Sequence, residues 1–356
     1  MNERTVSAPG RICLFGEHQD YLGLPVIAMA IDLRIWIRGR FTQSGVYAVD
    51  LPDVGEQERF EAKFPVRYVK ERDYVRSAVN VLWRQGVSLP EGVEARVHGN
   101  IPINSGTSSS SALCVAWCGF LWSFTAGRHL PASEVARAAH QAEVVEFGEP
   151  GGMMDHVLSA LGKVRYVEFE PSLETQLLQS NLGAFVLGAS GEPKDTKAIL
   201  ARVRGGVETA FATLQTLYPD LTWRSITLDH VKEAASALSA EQVKLLEGTI
   251  QNRRITQQAL TVLQQAVLDR NELGALLLEH QRVNRELLGI STRRLDELID
   301  AAMEAGALGG KLNGSGGGGA MFAYAPEDPE RVAAALEERG AKAYVIRADD
   351  GLRVEA

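Results

Sequence analysis

Pro102-Ile103-Asn104-Ser105-Gly106-Thr107-Ser108-Ser109-Ser110-Ser111-Ala112 runs without a spacer into an apolar segment at residues 113–124. A loop of small residues opening onto a buried helix gathers free backbone N–H groups, hydroxyls and the positive end of a helix dipole at one point, which is a seat for phosphate. A serine- and glycine-rich run can also be a flexible turn, but linkers do not abut apolar helices. The segment is shorter than the ~20 residues a bilayer needs and is broken by Gly119 and Ser123. It reads as a core helix.

Working outward, residues 6–15 and 25–41 have strand character. In the latter, Ile31, Leu33, Ile35 and Ile37 alternate with Asp32, Arg34, Trp36 and Arg38, the period of a half-buried strand. Helices are expected at 72–85, from Ser133 to about Glu146, and at 155–161, with strands at 93–99 and 163–170. The texture changes around 172–181. A strand at 184–188 is followed by helical patterns through 194–305. Strands at 308–312 and 320–324 flank a glycine turn, and a helix (331–339) and a strand (343–348) end the chain. This order predicts a two-lobed α+β protein, with lobes at 1–175 and 176–356.

Three further clusters carry polar chemistry. Gly16-Glu17-His18-Gln19-Asp20-Tyr21 packs two carboxylates and an imidazole between apolar strands; it can bind the hydroxyls of a polyol or be a solvated turn. Glu143 and Asp155 flank the breaker Gly148-Glu149-Pro150-Gly151-Gly152. One carboxylate can ligate magnesium and the other can orient or deprotonate a hydroxyl, or Asp155 can be an N-cap and Glu143 a solvated face. Lys311-Leu312-Asn313-Gly314-Ser315-Gly316-Gly317-Gly318-Gly319 contains G-x-G-x-x-G, but a strand follows it where a dinucleotide fingerprint needs a helix. Its spacing does not fit a Walker A loop either. A glycine hairpin that brings backbone close to phosphate, or to a neighbouring loop, suits it better.

Composition narrows the class. The chain has 356 residues, 45% hydrophobic and 23% charged, with a net charge of −8, which argues against non-specific binding to nucleic acid or a membrane surface. Cys13, Cys114 and Cys118 form no disulfide or metal framework. Reduced cysteines, and no apolar stretch after Met1-Asn2-Glu3-Arg4, lead to the expectation of a cytoplasmic protein.

Together these segments resemble the GHMP kinase superfamily. The motifs occur in order: Ala8-Pro9-Gly10-Arg11 with Gly16-Glu17-His18, then residues 102–112, then residues 311–319. The resemblance implies a GHMP kinase fold with a ribosomal-protein-S5-like N-terminal lobe and a helix-rich C-terminal lobe bearing an antiparallel sheet. Within the superfamily the run from Gly10 to Tyr21, the pairing of Glu143 with Gly152-Met153-Met154-Asp155, and the segments His280-Gln281-Arg282-Val283-Asn284 and Ile290-Ser291-Thr292-Arg293-Arg294-Leu295-Asp296 are similar to galactokinase.

That similarity implies ATP and Mg2+ as cofactors and a sugar as substrate, in a monomer or homodimer. It assigns catalysis to Asp155 and Arg11, sugar contacts to Glu17, His18, Asp20 and Gly152, and nucleotide contacts to Gly106, Thr107, Ser108, Ser109, Ser110, Gly314 and Gly316. Ser110 and Glu143 match the magnesium ligands. The expected reaction is ATP-dependent phosphorylation of the anomeric hydroxyl of galactose or a related aldose or uronic acid.

The chain departs from galactokinases around the sugar. Gln19 stands for the usual threonine, His156 for glutamine and Gly151 for cysteine. The loop after Tyr21 is short, and residues 188–196 lack a sugar-binding tyrosine. Lys194 and Arg204 offer partners for a substrate carboxylate. The run Leu14-Phe15-Gly16-Glu17-His18 with Pro25-Val26-Ile27-Ala28 also looks like mevalonate kinase, the alternative enzyme. A galactokinase-like sugar sensor is the alternative of a different class.

Overall fold

The computed structural model describes residues 3–103, 105–179, 181–193 and 195–355; Asn104 and Lys194 of the motifs above lie outside them. The first lobe is built on a mixed sheet: β1 (Arg4–Phe15), β2 (Val26–Thr42), β3 (Val46–Leu51), β4 (Glu56–Glu61), then, after helix α1 (Tyr74–Arg84), β5 (Gly92–Gly99). The strand β2 is long enough to serve two neighbours on one side. Its first part pairs with β6 (Val164–Glu168) and its second part with β5, while β1 lies along the other side. β6 carries β7 (Glu174–Leu177), and β3 runs parallel to β5.

Helix α2 (Ser109–Ala126) has almost no polar side chain after its first turn, so it must be covered on every face. It packs on β1 and β2 and is enclosed by α1, α3 (Ala132–His140) and α4 (Met154–Leu161). Trp117, Phe120 and Cys114 of α2 are buried in the same core as Val6, Ile37 and Tyr47 of the sheet. Among the described residues α2 is one helix long and apolar enough to cross a membrane, yet 61% of it is buried inside the protein.

The second sheet is antiparallel, in the order β11 (Lys342–Ile346), β8 (Phe185–Ala189), β10 (Ala320–Tyr324), β9 (Gly309–Leu312). Around it lie α5 (Thr196–Leu217), α6 (Leu228–Glu233), α7 (Ala240–Leu263), α8 (Arg270–Glu286), α9 (Arg293–Glu304) and α10 (Pro329–Glu338). β9 and β10 pair as the expected hairpin, with Leu312 opposite Met321. The chain then returns to the first lobe, where β12 (Arg353–Val354) adds to the free edge of β1. A shared core of Ile12, Leu14, Phe15, Leu187, Ile255, Leu277 and Phe322 joins the two halves.

Two local features aim the site. β1 changes register between Pro9 and Arg11 and again between Cys13 and Phe15, and such bulges re-aim side chains. The helix expected from Ser133 to Glu146 is α-helical only to His140; residues Gln141–Val145 form a wider turn, closed by Glu146 N–H to Gln141 O at 2.9 Å. Wide turns of this kind often occur at functional sites, and this one carries Glu143.

Candidate active site

Arg11 leaves β1 at the first bulge and meets Asp155 on the first turn of α4. Its Nε donates to Oδ1 and its Nη2 to Oδ2, both at 2.7 Å, a bidentate pair. Its third donor, Nη1, reaches Gly106 O at 2.5 Å, and its backbone N–H reaches Thr107 O at 3.2 Å. Ser108 Oγ donates to Asp155 Oδ2 at 2.6 Å. Burial pushes the Asp155 carboxyl up, but the Arg11 charge and the Ser108 hydrogen bond outweigh it. The net pKa lies below the ordinary value, so the group is ionised at neutral pH.

The loop before α2 is shaped by close backbone approach. A Cβ on Gly10 would stand 2.7 Å from Thr107 O, so β1 can touch the loop only through glycine. Ser108 sits in left-handed conformation, and no side chain caps α2. The first N–H groups of the helix therefore lack a side-chain cap, and Ser109 and Ser110, which carry them, line the cleft. On the other side, Gly314 (φ 74°) fits against the loop, where a Cβ would lie 3.0 Å from Gly106 O. Asn313 Nδ2 donates to that same carbonyl at 2.9 Å.

Glu143 reaches the cleft from the wide turn. Its Oε2 lies 2.7 Å from His156 Nε2, and the hydroxyls of Ser110 and Ser111 favour its charged form. Burial raises its pKa, but these partners outweigh burial and hold the carboxyl below its ordinary range. An ionised carboxylate beside the Ser110 hydroxyl suits Mg2+, which takes one or two protein oxygens and completes its shell with phosphate and water, while the uncapped helix end suits the phosphate itself. Among the described residues no group of three or more His, Cys, Asp and Glu forms a metal cage.

The turn at 16–21 forms the other end of the cleft. Burial, and then the charge of Asp155, raise the Asp20 pKa to about 6. Asp20 closes on Gly152 so tightly that a Cβ there would lie 1.9 Å from its Oδ2. His18 (φ 61°) places Nδ1 2.8 Å from the Tyr21 hydroxyl and Nε2 3.1 Å from Ser315 O. Gln19 is buried and closes the turn through Pro25 O at 2.8 Å. Arg204 stands over the Tyr21 ring, 5.3 Å from its centroid, and gives Nε to Glu208 at 2.8 Å.

Arg11, His18, Asp20, Gly106, Ser108, Ser109, Ser110, Glu143, Gly152, Asp155 and Gly314 thus line one cleft between the lobes, with Thr196 and Lys197 of α5 on the far wall. Thr107 and Gly316 do not line it. Thr107 turns its hydroxyl to Ser105 Oγ at 2.6 Å, and Gly316 packs where a Cβ would meet Ile290 O at 2.4 Å. Glu17 borders the cleft, but its carboxylate is engaged from below by Lys311. Two partners escaped the sequence reading. His156 meets Glu143 across the cleft wall and Lys311 meets Glu17, pairings that no local motif announces.

Comparison with known proteins shows the family. The family profiles described as GHMP kinases N terminal domain and GHMP kinases C terminal match residues 73–163 and 262–342. The galactokinase galactose-binding signature matches residues 2–41. The chain is 31% identical to the mevalonate kinase of Thermococcus onnurineus, over 98% of its length and 97% of the relative. It is 28% identical to the galactokinase of Homo sapiens, over 99% and 92%.

In fold, it is similar to Lactococcus lactis galactokinase complexed with galactose, with a TM-score of 0.86 at 21% identity, covering 99% of this chain and 95% of that one. The mevalonate kinase of Methanococcus jannaschii gives 0.74 at 18% identity, covering 98% and 99%.

Proposed function

The chain belongs to the GHMP kinases, and from that premise we propose that it transfers the γ-phosphoryl group of ATP to the anomeric hydroxyl of galactose or a closely related aldose. The observation that carries this reading is the acidic acceptor end of the cleft. Asp20 and Asp155 both face it, close enough that the charge of one raises the pKa of the other. Arg11 already commits its guanidinium to Asp155 and Gly106, and Arg204 commits Nε to Glu208. Two carboxylates accept hydrogen bonds from a polyol. A substrate carboxylate brought there would meet like charge without a free cation from either arginine. The same reasoning ranks a neutral aldose ahead of a uronic acid.

In this reading Asp155 orients the acceptor hydroxyl and takes its proton as the new O–P bond forms and the bond to ADP breaks. Its low pKa suits a loose transition state, in which the proton leaves late. Arg11 holds Asp155 ionised and fixed against the phosphate loop, and the N–H groups at the start of α2 stabilise charge on the transferring phosphoryl oxygens. Ser110 and Glu143 would hold Mg2+, which supplies charge neutralisation on the phosphates.

Phosphorylation of mevalonate is the second reading, supported by relatives at 30–31% identity over 98% of the chain. A coupled ADP-release assay over a panel of hexoses, pentoses and uronic acids, with mevalonate included, separates the two. Turnover with an aldose is expected. Turnover with mevalonate alone would overturn the proposal.

A further inference from the structure

Glu17 was expected to touch the acceptor, yet its side chain is 1% exposed. One oxygen accepts a hydrogen bond from the Lys311 ammonium, and the other lies 3.6 Å from His280 Nε2. His280 is stacked on Phe15, with ring centroids 5.9 Å apart. Burial and the Lys311 charge push its pKa well down, so it is neutral. The charge opposite Glu17 is therefore Lys311.

Lys311 is fully buried on β9. A lone ammonium there would be costly unless paired and hydrogen-bonded. It has three donors, and each has a partner: Glu17, Cys13 O at 3.0 Å and Leu312 O at 3.0 Å. Two of the three cross from the C-terminal sheet to the first lobe, and the ammonium sits 5.0 Å from the Phe322 ring centroid. Two residues on, Asn313 repeats the pattern: its Oδ1 accepts from Cys13 N–H at 3.0 Å while its Nδ2 holds Gly106 O. One strand end thus grips both the acceptor turn and the phosphate loop.

We propose that Lys311 is a positioning residue for the acceptor: by holding Glu17 beneath the turn it fixes the backbone that presents His18 and Asp20 to the sugar. Glu17 acts as an interlobe tie. This rests on the reading that the acceptor sits against residues 16–21.

A double-mutant cycle tests it, using Lys311→Met, Glu17→Gln and the two together, with the acceptor that the wild-type enzyme turns over. Each single change leaves a buried group without its partner, whereas the double change removes both charges. The expected result is a rise of about tenfold or more in acceptor KM for each single variant, with KM for ATP within about twofold, and recovery in the double variant to within about threefold of wild type. A merely structural role would lower the thermal midpoint and the active fraction and leave both KM values alone, and that outcome overturns the proposal. So does a double variant no better than Glu17→Gln, which would make Glu17 an acceptor ligand. Should Lys311→Met not fold, the comparison of Glu17→Gln with the double variant decides by the same criterion. A wild-type enzyme that turns over no sugar sinks the reading beneath this inference; sugar turnover with an additive cycle sinks the role of Lys311 alone.

Discussion

Asp155 is ionised before any substrate arrives, because Arg11 and Ser108 stabilise the carboxylate more than burial penalises it. Replacing it with Asn keeps the shape and removes the proton acceptor. Asp155→Asn should lower kcat about 10³-fold and leave ATP affinity within about twofold, measured by turnover and by nucleotide titration. Asp20 behaves in the opposite way. Its folded pKa of about 6 exceeds the ordinary 3.8 because burial and Asp155 disfavour its charge. Between those values the folded state holds a proton that the unfolded chain has lost, so this group's contribution to stability falls as pH rises from about 4 to 6. Asp20→Asn should therefore stabilise the ligand-free protein by about 1–2 kcal/mol at pH 8, after allowance for partial exposure, and by nothing at pH 4. Equal gains at both pH values in thermal melts would contradict this. The same substitution should raise acceptor KM, since the ionised carboxylate is the better hydroxyl acceptor.

Among the elements, the glycine hairpin between β9 and β10 is a wedge against the phosphate loop. Gly314→Ala puts a Cβ 3.0 Å from Gly106 O at a residue with φ 74°. It should cost about 1–2 kcal/mol of stability and raise KM for ATP more than KM for the acceptor. The element order was readable where periodicity is strong: β1, β2, α2 and the hairpin all follow from the sequence. The strands β3 and β4 were missed, because Val46–Leu51 is only six residues long and Glu56–Glu61, at the sheet edge, is mostly charged. The wide turn at Gln141–Val145 was missed because a change in helical pitch leaves no mark on local propensity. It nevertheless decides where Glu143 points.

At the scale of the whole molecule, the two halves are laced together by buried charge. Besides Lys311, Arg34 on β2 is 2% exposed. It holds the returning tail through Asp349 Oδ2 at 2.6 Å, Asp350 O at 2.9 Å and Gly351 O at 2.7 Å, and it gives Nε to Ser7 Oγ at 2.9 Å. Arg34→Ala removes the tail's buried anchor, leaving Asp349 the more distant Arg353 at 3.7 Å, and should lower stability by about 2–3 kcal/mol, seen as a shift in denaturant midpoint. These long-range ties could not be read from the sequence, because nothing near Glu17 or Arg34 announces a partner some 300 residues away. The residues of the cleft could be named, since each lies in a short motif; which of them touch substrate and which hold the lobes is decided by packing. The central claim is transfer of phosphate to a sugar at this cleft, and its most direct test is 31P NMR of the product formed from ATP, Mg2+, galactose and mevalonate mixed in one tube. The account predicts a phosphomonoester whose phosphorus couples to an anomeric proton, absent with Asp155→Asn. Phosphorylated mevalonate as the product, or inorganic phosphate alone, would contradict it.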